Sequence, residues 1–445
     1  MTDFMRQQLH TFLAQSASAG RNGKRAMGQD DDDQAYEQRV AALRRLDDRE
    51  DAKTTAPAGV VVICTPPVGS PRRQCSEDFE CMDYLRYQEE YDRGEELGRG
   101  TSGVVYALRG DLYSGCAIKE MACLAATTDS DEENYSTESE CQDAVVLAAN
   151  ECRLTMRLGR ASHPHLVSAL DAFVVDGPDG PIYALLLSRC TGGTLHDRIK
   201  AARHGTTGPL DVERVLRQIL TALQYVHAEG YAHCDVKPEN LLVESELGAP
   251  LHLRLCDYSS ARPLHLGDLM FEDPHIDVCT PYYRAPECAL SVLMHREDAL
   301  HAPYLGVGSK IDVWSAACVA VECVTGKPLF REYQNTGLLQ AMVDELGPPA
   351  APEWPVAMPY LRAHKLAPPV PGDAATIGAG ERVTRARLEW TGARPLWSKL
   401  RATMREGAVD TLRMMLHWDP SGRHSARAAL GQLGHDTAGG PILKA

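Results

Sequence analysis

Hydrophobic and polar positions divide this chain of 445 residues into three stretches of different texture. From residue 1 to about 88 charge comes in blocks: Asp30-Asp31-Asp32-Asp33, a charged segment through Asp51, and Ser70-Pro71-Arg72-Arg73. So little apolar surface cannot offset the entropy of ordering, and the pattern predicts a mostly disordered extension. Two places interrupt it: Phe4, Met5, Leu9, Phe12 and Leu13 share one helical face, and Val60-Val61-Val62-Ile63-Cys64 has the texture of a strand. From 89 to about 187 short β-branched runs follow, with Val104-Val105-Tyr106-Ala107-Leu108 and Cys116-Ala117-Ile118 reading as strands. From 191 to about 434 longer apolar segments take over, including Val215 to Val226 and a helix opening at Asp312-Val313-Trp314-Ser315. Proline and glycine between Gly347 and Gly380 mark an irregular insert rather than a new domain.

Into this pattern falls one polar loop, His233-Cys234-Asp235-Val236-Lys237-Pro238-Glu239-Asn240, with Leu241-Leu242-Val243 directly after it. Phosphoryl transfer needs an aspartate, a lysine and an asparagine in one place. Asp235 would accept the proton of an attacking hydroxyl, Lys237 would screen the moving phosphoryl group, and Asn240 would help hold Mg²⁺. The plain alternative is an ordinary helix-to-strand turn. Upstream, Leu97-Gly98-Arg99-Gly100-Thr101-Ser102-Gly103 is a Gly-x-Gly-x-x-Gly run. A dinucleotide fingerprint would lead from it into a helix, whereas a strand follows here. A glycine-rich hairpin can lie over nucleotide phosphates because no side chains obstruct its backbone. Lys119 ends the next apolar run and would pair with the α- and β-phosphates. Leu255-Cys256-Asp257 supplies a second aspartate, placed after a short strand where it could chelate metal.

With Tyr282-Tyr283-Arg284-Ala285-Pro286-Glu287, Asp312-Val313-Trp314-Ser315 and Asp419-Pro420-Ser421-Gly422-Arg423 added, the chain resembles a eukaryotic-type protein kinase, with every major motif in family order. Tyr283-Arg284-Ala285-Pro286-Glu287, Thr325-Gly326-Lys327-Pro328-Leu329-Phe330, Leu346-Gly347-Pro348-Pro349 and Met415-Leu416-His417-Trp418-Asp419-Pro420 resemble the CMGC group. Cys234 before Asp235 is similar to a variant in its dual-specificity tyrosine-regulated branch. The resemblance implies an α+β bilobal fold: a β-rich small lobe with one regulatory helix at 89–190 and a helical large lobe at 191–434. A CMGC-like insert would occupy about 347–408 and a tail 435–445. ATP and Mg²⁺ are the implied cofactors, with Asn240 and Asp257 on the metal, and proteins are the implied substrates. Leu97, Gly98, Gly100, Gly103, Val105, Ala117 and Lys119 would join the nucleotide site. Leu187 would border its rear, backbone groups near Ser188 and Cys190 would bind adenine, and Thr194 would face the ribose.

By the same resemblance Glu151, in Asn150-Glu151-Cys152-Arg153-Leu154, is the partner of Lys119. Glu138 and Glu140 are rivals, but they sit in an acidic stretch without helical periodicity, part of an insert at about 127–143. That insert is either a solvated loop or a docking or phosphorylation segment, with Ser130 ahead of three acids. Lys237 two residues after Asp235 resembles the arrangement of serine/threonine kinases, so phosphorylation of those residues is expected. Arg284 helps shape the CMGC pocket for the residue after the phosphoacceptor, which implies a preference for proline there, although Pro281 replaces a frequent arginine. Glu287 and Arg423 should form a buried ion pair.

Departures set further expectations. Cys234 stands where regulated kinases carry an arginine that receives activation-loop phosphate, and Asp277 stands where many relatives carry an activating tyrosine. Both fit an enzyme active without that phosphate. Tyr258-Ser259 replaces phenylalanine-glycine and adds a hydroxyl needing a partner. Ala317, in place of a helix glycine, should be harmless. A catalytically inactive scaffold that binds nucleotide is the alternative, although Lys119, Glu151, Asp235, Lys237, Asn240 and Asp257 are all present. Net charge of −15 argues against a general nucleic-acid binder. No apolar run approaches the ~18–20 residues of a membrane span. The start Met1-Thr2-Asp3-Phe4 lacks a secretory signal's basic opening. Fourteen cysteines follow no repeating metal spacing. An intracellular protein of the cytoplasm or nucleus is expected, of oligomeric state the sequence does not encode legibly.

Overall fold

Alternating side chains along six short strands build the first of two units, in a computed structural model that describes residues 79–110, 113, 115–123, 138–159, 163–244, 250–265, 278–297, 305–349, 354–367 and 395–434. The strands are β1 (Cys81–Asp83), β2 (Arg93–Gly100), β3 (Gly103–Leu108), β4 (Cys116–Ala122), β5 (Ala169–Gly177) and β6 (Gly180–Ser188). Their order is β1-β5-β6-β4-β3-β2, with β1 parallel to β5 and the other pairs antiparallel. Leu185 belongs to one apolar cluster, with Met121, Cys152, Met156 and Tyr183. Its neighbours Ala184 and Leu186 belong to another, with Tyr87, Leu108, Ile118 and Phe173. Successive strand residues point to opposite faces, so both faces of the sheet are covered, which is why β6 reads as a continuous apolar run.

Two helices provide that cover. Helix α1 (Tyr84–Glu90) starts on Asp83, whose carboxylate accepts from the amides of Leu85 at 2.9 Å and Arg86 at 3.3 Å. It buries Tyr87 completely, and Tyr91 just beyond it stacks on Phe173 with ring centroids 5.1 Å apart. This corrects the expected extension boundary at 88, because ordered structure already includes residues 81–88. Charged residues around Tyr87 hide it from a pattern read. Helix α2 (Glu138–Gly159) corrects a second expectation, since its first turn takes in Glu138 and Glu140. Glutamate and glutamine are good helix formers, so an acidic run need not be a loop. Residues 124–137, with Ser130, lie outside the described residues, as do Val60 to Cys64 and the chain start.

The second unit is mainly helical: α3 (Leu195–Arg203), α4 (Val212–Ala228), α5 (Pro286–Glu297), α6 (Lys310–Thr325), α7 (Asn335–Leu346), α8 (Met358–Ala363), α9 (Pro395–Arg401), α10 (Glu406–Met415) and α11 (Ala426–Leu433). Helix α6 is buried on all sides from Ile311 to Glu322, which is why its apolar run is unbroken, and Ala317 fits there with no exposed surface. It stops at Gly326, whose φ of 72° suits the left-handed cap. Helix α4 opens on an Asp211 cap and points its apolar stripe inward. The short pairs β7 (Tyr231–Ala232) with β10 (Arg262–Pro263), and β8 (Leu241–Val243) with β9 (Leu253–Leu255), frame the loop between them. Residues 163–168 group with this unit and not with the sheet, because the Leu255 amide bonds the His165 carbonyl at 2.9 Å and the Val167 amide bonds the Leu255 carbonyl at 3.0 Å. The expected single boundary near residue 190 therefore misses this strip. Among the described residues no helix is long and apolar enough to cross a membrane.

Candidate functional site

In the sheet unit, β2 and β3 form a hairpin around the glycine run, with Gly100 opposite Gly103 and Gly98 opposite Val105. Gly103 has φ of 144°, and a β-carbon there would lie 2.2 Å from the Glu120 carbonyl oxygen. Only glycine allows β3 to approach β4 that closely. A β-carbon at Gly98 or Gly100 would meet nothing within 4 Å, so their backbone faces open space. Leu97 is exposed. Val105 pairs with Lys119 across the strands, and Ala117 with Leu187, while Cys116 faces Ser188. Lys119 and Glu151 are both buried, and the ammonium meets the Glu151 carboxylate at 2.5 Å. The structure thus joins Glu151 to Lys119.

The helical unit holds the rest. Asp235 Oδ2 accepts from Lys237 Nζ at 2.6 Å and from Asn240 Nδ2 at 3.2 Å. Asp235 Oδ1 accepts from the Thr280 hydroxyl at 2.7 Å and its amide at 3.2 Å. Lys237 Nζ also donates to Thr280 Oγ1 at 3.1 Å, closing a small ring of contacts. Burial pushes the Asp235 carboxyl up, but the hydrogen bonds from Lys237 and Thr280 outweigh it and hold the group below the usual carboxylate range. Asn240 donates to the Asp235 carbonyl at 2.8 Å, so its amide nitrogen is engaged and its oxygen is the atom suited to a cation. Asp257 follows directly, because the Cys256 amide bonds the Asn240 carbonyl at 3.0 Å, and its φ of 66° turns the chain sharply there.

The loop is held from behind by Asp312 of α6. Its two carboxylate oxygens accept from the amides of Cys234 and His233, and from His227 Nε2, each at 2.8 Å. Cys234 adopts φ of 65°, an uncommon conformation for a non-glycine residue, which this grip stabilises. His233 accepts the Asp235 amide on Nδ1 at 3.2 Å and meets the Cys256 carbonyl with Nε2 at 3.0 Å. A carbonyl can only accept, so the proton sits on Nε2, and one ring ties the Asp235 and Asp257 segments together. Thr280, Asp312 and His233 are the functional residues that motif spacing did not assign. Only a hydroxyl just ahead of the Tyr283-Arg284 motif signals Thr280.

One expected residue has a structural task as well. Thr194 caps α3: its hydroxyl donates to Asp197 Oδ2 at 2.7 Å and accepts from the Asp197 amide at 3.2 Å. That capping box fixes where α3 begins. Cys190 is half-buried, and burial pushes its thiol up to about 11. The Glu287–Arg423 pair forms as expected, with both side chains fully buried and contacts of 2.6 and 2.9 Å.

Comparison with known proteins agrees with this arrangement. The profile of the protein kinase domain matches residues 91–433. The mitogen-activated protein kinase HOG1 of Cryphonectria parasitica is 30% identical over 348 residues, 76% of this chain and 77% of that protein. The Schizosaccharomyces pombe proteins gsk31 and gsk3 are 31% and 30% identical over 209 and 208 residues, 46% of this chain in each case. The chain spans about half the length of these two, 50% and 49%.

Proposed function

Because the chain belongs to the protein kinase domain family, we propose that it transfers the terminal phosphoryl group of ATP to serine or threonine hydroxyls of protein substrates. The observation that carries this is Asp235, held ionised by Lys237 and Thr280 in a loop fixed by Asp312. An ionised carboxylate with a defined orientation can accept the proton of an incoming hydroxyl. Lys237, beside it, offsets charge on the group in transfer. The relatives gsk31 and gsk3 and the mitogen-activated protein kinase HOG1 support the CMGC assignment.

Protein kinases generally use ATP and Mg²⁺, and the residues present fit both. The Asn240 oxygen and the Asp257 carboxylate are hard donors of the kind Mg²⁺ takes alongside water and phosphate oxygens. When bound, Mg²⁺ supplies charge neutralisation for the phosphates. Lys119, oriented by Glu151, would hold the α- and β-phosphates under the open backbone of Gly98 and Gly100.

The reading extends to proline-directed substrates. Cys279 has φ of 68°, and its carbonyl accepts from Arg284 Nη2 at 2.9 Å and Nε at 3.3 Å. Turned to that guanidinium, the carbonyl is engaged and cannot serve the amide of the residue after the phosphoacceptor. Proline has no such amide and loses nothing, whereas any other residue would leave a donor unpaired. Pro281 is compatible with this: it opens the turn Pro281–Tyr283 that carries the chain to Arg284.

Activity without activation-loop phosphate also remains part of the proposal. Asp277 lies outside the described residues, so its support here comes from Arg284, only 4% exposed and bonded to the carbonyls of Val278 and Cys279. An intracellular location is proposed on the thiols of Cys152, Cys288 and Cys318, which lie buried in the core and are not cross-linked. Incubation with labelled ATP and a mixed protein substrate, followed by phosphoamino-acid analysis, should yield phosphoserine and phosphothreonine. Nucleotide binding without transfer would favour the scaffold reading, and phosphotyrosine as the main product would overturn the substrate class.

A further inference from the structure

Arg284 has one more arm than the Cys279 carbonyl needs. Its Nη1 donates to the side-chain oxygen of Asn335 at 2.7 Å. Asn335 is the first residue of α7, and its preceding cap residue Gln334 makes no side-chain hydrogen bond to the helix. The asparagine oxygen is therefore directed at the guanidinium, at a helix end where it does not act as the cap. A helix N-terminus disfavours a nearby cation, so a side-chain acceptor there compensates the approach of Arg284. A second contact joins the same two stretches, since the rings of Tyr282 and Tyr333 lie 4.8 Å apart.

We propose that Asn335 is a positioning residue for substrate specificity. It fixes the guanidinium fork of Arg284, which in turn holds the Cys279 carbonyl away from the incoming substrate. The inference rests on the proline-directed reading above. Cys279 adopts a left-handed conformation that a side chain disfavours, and such a conformation persists only when its surroundings over-determine it. Two of those determinants are the Arg284 contacts to its carbonyl. Nε keeps its contact to the Val278 carbonyl at 3.1 Å, so losing the Nη1 anchor lets the outer fork pivot about that contact, and the Cys279 carbonyl can relax towards the substrate. It then accepts the amide of a non-proline residue. Selection, more than turnover, should respond.

The test uses two peptides that differ only in proline or alanine after the phosphoacceptor, with the full chain, Asn335→Ala and Asn335→Asp. The native protein should prefer the proline peptide in kcat/KM. Asn335→Ala should narrow that ratio about tenfold, with the KM for ATP unchanged. Asn335→Asp keeps an oxygen acceptor and should restore the ratio through a charge-assisted contact. A native protein indifferent to the two peptides defeats the proline-directed reading and the inference with it. A native preference that survives Asn335→Ala, or that Asn335→Asp fails to restore, overturns the inference alone. Melting curves of both variants show whether a lost ratio comes from lost fold, since global loosening would also raise the KM for ATP.

Discussion

Two buried ion pairs, one in each unit, are built for different ends. In the helical unit Arg423 and Glu287 meet through two parallel contacts with no exposure on either side chain. The guanidinium also donates to the carbonyls of His417, Lys310 and Trp418, and lies 5.0 Å from the Trp314 ring centre. Its rigid fork matches that cage and leaves little room for another geometry. In the sheet unit Lys119 meets Glu151 through an ammonium on a flexible stem, at 2.5 Å, with the lysine on a strand and the glutamate on a helix. An ammonium can keep that contact while turning to a ligand, whereas the caged guanidinium cannot. The first pair serves stability, and the second suits function.

Arg423→Ala is the strongest way to break this contrast. It leaves Glu287 buried without its cation and strips three carbonyls of a donor, so chemical denaturation should show a loss of about 3–5 kcal/mol. Native-like melting would show that the pair does not tie the unit together. Lys119→Met should cost less stability, about 1–3 kcal/mol, because methionine keeps the packed stem and the uncompensated Glu151 can take up a proton. Its transfer activity should nevertheless fall by about two orders of magnitude or more. A larger stability loss than Arg423→Ala would erase the distinction between the pairs. The smallest effect is expected at Tyr258, which is buried and whose hydroxyl has no hydrogen-bond partner among the described residues. Tyr258→Phe removes an unsatisfied polar atom and should raise stability by about 1 kcal/mol. A lower melting temperature would mean that the hydroxyl is satisfied in solution.

The residues legible in the sequence were those whose chemistry demands fixed local order. Asp235, Lys237 and Asn240 lie within one short loop, so their spacing carries their meaning. The Gly98-to-Gly103 run was legible because the strand after it excluded the dinucleotide reading. Glu151 needed the family resemblance, since periodicity alone left three glutamates. Thr280 and Asp312 were not assigned, because they reach the loop across 45 and 79 residues of chain and no local pattern encodes such contacts. The edge of the small unit was missed because Met82 and Tyr87 are spaced among charged residues, which lowers the apolar signal below that of a strand or helix. Thr194 shows the opposite case: the residue type suits a ligand and a cap equally, and its cap of α3 is visible only in the structure.

The central claim is that Asp235, held by Lys237 and Thr280, takes the proton from a substrate hydroxyl. Asp235→Asn preserves size and shape but cannot accept that proton. Initial rates of labelled phosphoryl transfer, measured beside melting curves of the same preparations, should fall by about a hundredfold or more while the fold persists. Transfer at the native rate by Asp235→Asn would contradict the account.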